Sequence, residues 1–408
     1  MDIRIDLPRL RKNLEELSRI GRDPRGGISR PSFSKADFEA RAWLKDKITA
    51  AGLDLRVDGA GNVFGYWGGS GPVVMAGSHI DTVLRGGAYD GSAGVLAALE
   101  CLRRLKEEGF QPSKPLAVAA FTDEEGNLVG DFLGSRAFIG GLDRASLEKG
   151  ATAFGTPFVD ILRGTEFSIE SILGAHSDAP EIEAFLELHI EQGPTLDEEG
   201  IAIGIVEAIS GKQYRWCSLQ GEAGHAGTVP LELRRDAFLG LADLAMRATQ
   251  HVATRHYGSF VTIGKVVVLP GVFSVVPGRA DFSLEFRSRS RETLAALEKE
   301  LFEIAQDVAL TRGLEFSSRI VDKTEPVAIP ERLTSLLKEE CGKLNYPYLA
   351  LTSGAGHDAQ ILAAKAPTAM IFIPSPEGLS HAPDESVRWE DLEKGANLLL
   401  AAIMRLAG

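Results

Sequence analysis

The chain has 408 residues, of which 44% are hydrophobic and 25% are charged, as is ordinary for a soluble globular protein. This composition excludes a disordered chain, a collagen-like fibre and a long coiled coil, and the length predicts roughly two to three domains. With 44 basic and 57 acidic residues the formal net charge is −13, which argues against nucleic acid or an anionic membrane as a partner.

Neither the apolar runs nor the cysteines indicate a membrane or secreted protein. The longest apolar runs, 116–121 and 398–404, are too short to span a bilayer. Residues 1–6 mix charges and lack an apolar signal core, so we expect a cytoplasmic location. The cysteines form no C-x-x-C motif, which predicts reduced thiols rather than a disulfide scaffold.

Apolar, strand-like runs alternate with helix-like segments along most of the chain. Residues 72–76 are typical of a buried strand, and apolar residues at helical spacing predict a helix over 91–108. Further strand-like runs occupy 116–121, 185–188 and 369–373. This alternation predicts an α/β sheet. Ligands bind beyond the carboxyl ends of the strands in such sheets, so the polar residues after these four strands predict one shared site.

The segment 211–325 has a different pattern. Helix-like stretches at 231–250 and 291–312 alternate with strand-like stretches at 259–268 and 280–287. This order predicts a small two-layer α+β insert. We therefore predict a discontinuous main domain, 1–210 and 326–408, with 211–325 inserted.

Three imidazoles and two carboxylates follow the predicted strands or flank the turns after them: His79, Asp90, Glu125, His189 and His381. Each has an ordinary interpretation when taken singly; Asp90, for example, precedes Gly91 as in a common turn. Together they suit zinc, manganese or cobalt, and are too rich in nitrogen for calcium or magnesium. Five ligands exceed the needs of one open tetrahedral site and suffice for two ions if one carboxylate bridges.

Glu124 is the candidate general base, because two metal ions close together can activate a water for attack. Glu124 and Glu125 are also consistent with a solvated acidic pair. Neighbours on a strand face opposite ways, so both reach one site only if the chain turns there. Gly126 is consistent with such a turn. No nucleophile elbow or phosphate loop is present, and His176, His251 and His256 have no distinctive context.

Several motifs resemble the binuclear metal amidohydrolases of the M20 peptidase superfamily. They are Gly77-Ser-His-Ile-Asp-Thr, Tyr89-Asp-Gly, Asp123-Glu-Glu-Gly, Leu188-His-Ile-Glu-Gln-Gly-Pro, Ser353-Gly-Ala-Gly-His-Asp-Ala and Gly378-Leu-Ser-His-Ala-Pro-Asp-Glu. The resemblance is strongest to the hydantoinase/carbamoylase branch, which includes N-carbamoyl-L-amino-acid hydrolases, allantoate amidohydrolases and β-ureidopropionases. It implies a metallopeptidase-like catalytic domain with an inserted ferredoxin-like lid and dimerisation domain, and a homodimer.

The resemblance also implies roles for the candidate ligands. One divalent ion is bound by His79, His189 and Asp90, and a second by Asp90, Glu125 and His381. Manganese or zinc is expected, with cobalt or nickel as alternatives, and Glu124 is expected to be the proton shuttle.

In the insert, His225 matches a residue that hydrogen-bonds the developing oxyanion in the site of a partner subunit. Arg287 matches the arginine that holds the substrate carboxylate, for which a bidentate fork is well suited. Further positions near the substrate are matched by Gln192, Gly356 and His357. The family usually has an Asn that contacts substrate where this chain has Ser274.

The resemblance implies hydrolysis of a linear ureido or amide C–N bond, with N-carbamoyl-L-amino acids as the first expectation. Allantoate and N-acyl-amino acids are alternative substrates, which Ser274 leaves open. Outside the enzymes, the alternative is a catalytically inactive binding or scaffold relative. Such a relative is expected to have lost a metal ligand or the acid/base glutamate. This chain retains all five candidate ligands and Glu124.

Overall fold

The computed structural model of the protein describes residues 3–408, so Met1 and Asp2 of the N-terminal stretch lie outside the described residues. The chain divides into two compact units. Unit 1 contains the described residues up to Glu207 together with Ile329–Leu351 and His357–Gly408. Unit 2 contains Ala208–Ala328 and takes up the short segment Thr352–Gly356. A lid or dimerisation role for unit 2 stays a prediction.

The helices are α1 Leu7–Leu17, α2 Lys35–Ala50, α3 Ser92–Glu107, α4 Leu133–Ile139, α5 Arg144–Lys149, α6 Phe158–Leu162, α7 Ile169–Gly174, α8 Thr195–Glu199, α9 Ala237–Arg255, α10 Arg291–Thr311, α11 Glu331–Leu344, α12 Asp358–Leu362 and α13 Trp389–Ala407. The strands are β1 Asp54–Val57, β2 Val63–Trp67, β3 Val73–His79, β4 Leu116–Phe121, β5 Ile182–Ile190, β6 Ile203–Ile209, β7 Gly211–Gln220, β8 Gly224–His225, β9 Phe260–Thr262, β10 Val266–Leu269, β11 Val275–Val276, β12 Arg279–Ser288, β13 Glu315–Thr324, β14 Val327–Ala328, β15 Tyr348–Ser353 and β16 Thr368–Ile373.

Unit 1 is built on a large mixed sheet with the strand order β1–β2–β4–β3–β5–β16–β6. Its four central strands are parallel, because β3 pairs in parallel with β4 and β5, and β16 pairs in parallel with β5. Every residue of β3, β4 and β16 is buried, as expected for parallel strands covered on both faces. Helices α3 and α13 pack on this sheet. The predicted α/β architecture is therefore confirmed.

Unit 2 has an antiparallel sheet with the order β10–β12–β7–β13, and β9 also pairs with β12. Along β12 buried residues alternate with more exposed ones, the period that leaves one face of a sheet for the core. That buried face packs against apolar residues of α9 and α10. This is the two-layer α+β arrangement that the sequence pattern predicts for the insert.

Two predicted elements of unit 2 differ from the structure. The helix expected over 231–250 begins only at Ala237, because the side chain of Asp236 accepts two backbone hydrogen bonds and caps the helix there. The single strand expected over 259–268 is divided into β9 and β10. Between them residues 263–265 lie opposite only 283–284 of β12, and such an extra residue interrupts the ladder.

No helix within residues 3–408 is long and apolar enough to cross a membrane. The three cysteines, Cys101, Cys217 and Cys341, are buried free thiols.

A buried arginine connects the end of α1 with the segment that follows β3. Arg30 has no exposed surface, and its guanidinium donates to the backbone oxygens of Ile80 at 2.6 Å, Ile20 at 2.9 Å and Leu17 at 3.1 Å. A fourth contact joins it to Ser92 Oγ at 3.3 Å. Burial lowers the pKa of Arg30 to about 10, so the group remains charged at neutral pH. It therefore ties the end of α1 to the loop after β3 and to the start of α3.

Replacing Arg30 by Met should lower the free energy of unfolding by about 3 kcal/mol, because buried carbonyl groups lose their donors. Thermal unfolding followed by calorimetry measures the loss. The matched control is Arg25→Met, since the Arg25 side chain is exposed and forms an ion pair with nearby Asp23; a change within about 0.5 kcal/mol is expected there. Equal effects of the two substitutions would show that the buried network contributes nothing.

Candidate functional site

The polar residues predicted to meet at one edge of the sheet do so in unit 1. His79 is the last residue of β3, and His189 lies near the end of β5. Glu124 and Glu125 follow β4, and His381 follows β16. Since these four strands are parallel neighbours, their carboxyl ends lie at the same edge, where ligands bind in α/β sheets.

Asp90 lies between two groups of donor atoms. Its Oδ1 is 3.5 Å from His79 Nε2 and 3.2 Å from His189 Nε2. Its Oδ2 is 3.3 Å from His381 Nε2, and that nitrogen is 3.4 Å from Glu125 Oε2. The nitrogen and oxygen atoms therefore form two clusters that share one carboxylate. This is the sharing that two metal ions bridged by a carboxylate require.

A tight turn after β4 brings both glutamates to this site. Asp123 and Gly126 adopt left-handed backbone angles, with φ of 56° and 70°. The carboxylate of Asp123 accepts two backbone N–H groups across the turn, each at 2.9 Å. As a result Glu124 reaches the site with its Oε2 3.6 Å from His79 Nε2, and Glu125 faces the other cluster.

Backbone contacts orient the two strand-end imidazoles. His79 Nδ1 is 3.1 Å from the carbonyl oxygen of Asp81, and His189 Nδ1 is 2.9 Å from that of Ile190. Donation from Nδ1 to a carbonyl leaves the lone pair of Nε2 facing the site, the arrangement typical of metal-binding histidines. A side chain at Gly91 would place Cβ 2.4 Å from the His79 ring, so the close approach requires glycine.

Other side chains hold Asp90 in place. Gln192 Nε2 and Ser380 Oγ each donate to Asp90 Oδ2 at 2.8 Å. Glu385 Oε1 accepts the backbone N–H groups of Tyr89 at 2.8 Å and Asp90 at 3.1 Å. The position of the shared carboxylate is thus set by hydrogen bonds with three residues from two separate segments, Gln192 and the motif 378–385.

The site brings several carboxyl groups together in a buried environment. Burial raises the pKa of Glu124 well above its ordinary value and that of Glu125 to about 7. Burial opposes protonation of His79, but the nearby carboxylates of Glu124 and Asp90 raise its pKa well above the ordinary value. Buried carboxylates are costly unless a counter-charge accompanies them. Both the donor atoms and the charge therefore fit two divalent cations.

A second group of buried residues lies behind His189. The ring of His357 packs edge-on to His189 with centroids 4.6 Å apart, and His357 is only 1% exposed. Glu187 accepts hydrogen bonds from Ser78 Oγ at 2.6 Å and from the Ala359 N–H at 2.9 Å. His357, which was predicted to contact substrate, thus contacts the predicted metal ligand His189. Its packing is suited to holding the His189 ring in place.

Four residues of this surrounding layer were not identified from the sequence: Asp81, Glu187, Ser380 and Glu385. A signal was available for Glu187, because residues two apart on a strand share a face and Glu187 and His189 both lie on β5. Asp81 lies beyond the end of β3, within the motif 77–82. The other two lie within the motif 378–385 that contains His381.

The remaining predicted site residues belong to unit 2. β8 pairs with β11, and the Ala226 N–H donates to the carbonyl of Ser274 at 2.8 Å, so His225 and Ser274 lie on neighbouring segments. His225 is exposed, and its Nδ1 accepts the Gly227 N–H at 3.1 Å. The proton of the neutral ring is therefore on Nε2, where it is available as a donor.

Arg287 lies on β12 beside the short segment that returns to unit 2. Its Nη1 donates to the carbonyl oxygen of Gly354 at 2.7 Å, and its Nη2 is 3.3 Å from the hydroxyl of Tyr214. Its Nε forms an ion pair with Glu285. Gly356, another predicted substrate contact, belongs to the same segment as Gly354.

Comparisons with known proteins agree with this arrangement. A family model described as Peptidase family M20/M25/M40 matches residues 75–405. An N-carbamoyl-L-amino acid amidohydrolase of Geobacillus stearothermophilus is 34% identical over 404 residues, which cover 98% of each chain. An allantoate amidohydrolase of Escherichia coli (strain K12) is 34% identical over 402 residues, which cover 98% of this chain and 97% of the relative.

A solved structure extends the similarity to three dimensions. The crystal structure of an amidase of the hydantoinase/carbamoylase family from Burkholderia multivorans has a TM-score of 0.91 and 32% sequence identity, covering 100% of this chain and 99% of that chain.

Proposed function

The chain belongs to peptidase family M20/M25/M40 and is a hydrolase of ureido or amide C–N bonds, and we propose that its substrates are N-carbamoyl-L-amino acids. The products are the free amino acid, carbon dioxide and ammonia. The observation that carries the proposal is the pair of donor clusters sharing Asp90, with Glu124 beside them. The substrate class is supported by the relative from Geobacillus stearothermophilus, whose name specifies that activity.

Five side chains of unit 1 are proposed to hold two divalent metal ions. One ion is held by His79, His189 and Asp90, and the other by Asp90, Glu125 and His381. When bound, such a pair of ions supplies an activated water and polarises the carbonyl to be attacked. Imidazole and carboxylate ligands accept manganese or zinc, and also cobalt or nickel.

Glu124 is proposed to transfer the proton. It is not a member of either donor cluster, yet it is buried and its carboxylate faces His79. From that position it takes the proton of the attacking water and delivers it to the nitrogen that leaves. Supply of a proton is essential because an amide anion is a poor leaving group.

Gln192 and His357 are proposed to position the reactants. Gln192 Nε2 already holds Asp90, whereas its Oε1 is buried with no hydrogen-bond partner within residues 3–408. That oxygen is suited to accept an N–H of the ureido group. His357 packs against His189 and is assigned to keeping that ring in place, as groups surrounding metal ligands commonly do.

Unit 2 is proposed to recognise the rest of the substrate. Arg287 and the adjoining segment with Gly356 bind the carboxylate, for which the planar guanidinium supplies two parallel donors. His225 stabilises the developing oxyanion through its Nε2 proton, and it acts in the site of a second copy. Ser274, next to His225, selects among substrates.

A homodimer formed through unit 2 is part of the proposal. Large apolar side chains of this unit are strongly exposed, including Leu231, Leu233, Met246, Phe260 and Phe273. Two of these residues follow β8 and another precedes β11, so apolar surface flanks the strand pair that carries His225. Enriched aromatic and methionine side chains are characteristic of interfaces.

The second candidate is allantoate amidohydrolase. The relative from Escherichia coli has the same 34% identity as the carbamoylase, and the metal chemistry of both reactions is alike. Ser274 in unit 2 also keeps N-acyl-amino acids open as substrates.

The proposed substrate is tested by ammonia release after manganese loading. The panel contains N-carbamoyl-L-amino acids, their D-forms, allantoate and β-ureidopropionate, with N-acetyl and N-formyl amino acids followed by an amino-group assay. We expect turnover of the L-carbamoyl series, with the D-forms slower by at least tenfold. Turnover of allantoate alone would retain the reaction class but reject the substrate. Metal binding without any turnover would favour the scaffold alternative.

Adjacent glutamates provide a matched test of the proton transfer. Glu124→Gln should reduce kcat by at least a thousandfold while metal content stays unchanged, because only the base is removed. Glu125→Gln should instead reduce bound metal, since a charged ligand becomes a neutral amide. Activity and metal content, measured on the same preparations, distinguish the two. Near-normal activity of Glu124→Gln would remove it as the base.

Mixed dimers test whether His225 acts in the partner's site. His225→Asn and Glu124→Gln homodimers should both be inactive. After subunit exchange, a mixed dimer has one site with an intact Glu124 and an intact His225 from the other copy. An equal mixture should therefore recover about one quarter of wild-type activity, because half of the dimers carry one working site. No recovery despite demonstrated exchange would place His225 in its own subunit's site.

A further inference from the structure

A cluster of metal-ligand side chains lies in unit 2, apart from every residue assigned to the reaction. His251 belongs to α9, and His256 caps the end of this helix. Both place Nε2 2.6 Å from the same atom, Oε2 of Glu300 on α10. The three donor atoms all lie within 4.8 Å of one another.

We propose that His251, His256 and Glu300 form a binding site for a divalent transition-metal ion, with Zn²⁺ as the best match. Two imidazoles and one carboxylate are a ligand set that zinc uses when a fourth position stays open. Here the open position faces solvent, because the side chains of His251 and Glu300 are 27% and 34% exposed. This site is separate from the two proposed ions of unit 1, and its existence does not depend on the proposed function.

The contact distances indicate that the donor atoms of His251, His256 and Glu300 converge on one point. Separations of 2.6 Å from two nitrogens to a single oxygen are shorter than the usual value of about 2.9–3.0 Å for N–H···O hydrogen bonds. Zinc bonds of about 2.0–2.1 Å in tetrahedral geometry place ligand atoms roughly 3.3 Å apart. Each of these two nitrogen–oxygen contacts therefore has to lengthen by less than an ångström, which the partly exposed side chain of Glu300 permits.

The position in the fold also favours a cation. α9 ends at Arg255, and the last carbonyl groups of a helix carry a partial negative charge that attracts positive ions. A bound ion would join the end of α9 to α10, the two helices that cover the sheet of unit 2.

The test is calorimetric titration of Zn²⁺ into the manganese-loaded full-length protein. The parent should bind one more equivalent of Zn²⁺ than the double variant His251→Gln/His256→Gln. Glu300→Gln, which keeps the side-chain shape, should weaken that equivalent at least tenfold. The matched control is His176→Gln, since His176 is an exposed histidine of unit 1 and should leave the titration unchanged.

Hydrogen exchange provides an independent readout. Zn²⁺ should slow amide exchange around residues 248–258 and 297–303 in the parent but not in the double variant. Hydrolytic activity with manganese should be normal in all these variants, which shows that they fold and separates this site from the one in unit 1. Equal zinc stoichiometry and affinity in the parent and the double variant would overturn the proposal. Unchanged exchange in these two segments would do the same.

Discussion

The sharing of one carboxylate between two groups of imidazole and carboxylate donors is the constraint on which the site depends. Asp90 can face both groups because β3, β4, β5 and β16 are parallel neighbours, so that the donors at or after their carboxyl ends lie at one edge of the sheet. The loop carrying Asp90 must then pass close to His79, which explains why glycine follows it. The carboxylate is further fixed by donors from Gln192 and Ser380. Its position is therefore a property of the sheet rather than of one flexible loop.

This concentration of carboxylates opposes folding electrostatically, and the raised pKa values of its members show that effect. Burial raises the pKa values of Glu125 and Glu385 to about 7, showing that these groups lose the solvation that would keep them charged. The two proposed divalent cations would offset this cost at Asp90 and Glu125, the two carboxylates of the proposed ligand set. Arg30, buried behind the loop after β3, adds fixed positive charge and holds three backbone carbonyls. Stability and function are thus coupled at the carboxyl edge of the sheet.

Unit 2 has a different physical basis. Its antiparallel sheet buries one face under α9 and α10, whereas His225 and several large apolar side chains of the unit are exposed. Three features of unit 2 are suited to recognition rather than to stability. They are the exposed Nε2 donor of His225, the guanidinium of Arg287 and the neighbouring apolar residues.

The sequence by itself determined the α/β class, the two-layer insert and the family, because strand burial and helical periodicity are local properties. It also identified the five candidate ligands and the turn at Gly126, since each follows a recognisable strand or flanks the turn after one. Only the tertiary structure placed Glu385 on the amide of Asp90 and His357 behind His189. These contacts join residues far apart in the chain, and no local pattern encodes them. The break between β9 and β10 was likewise decided by strand pairing, which depends on atoms brought together by folding, whereas the start of α9 is set by the local cap at Asp236.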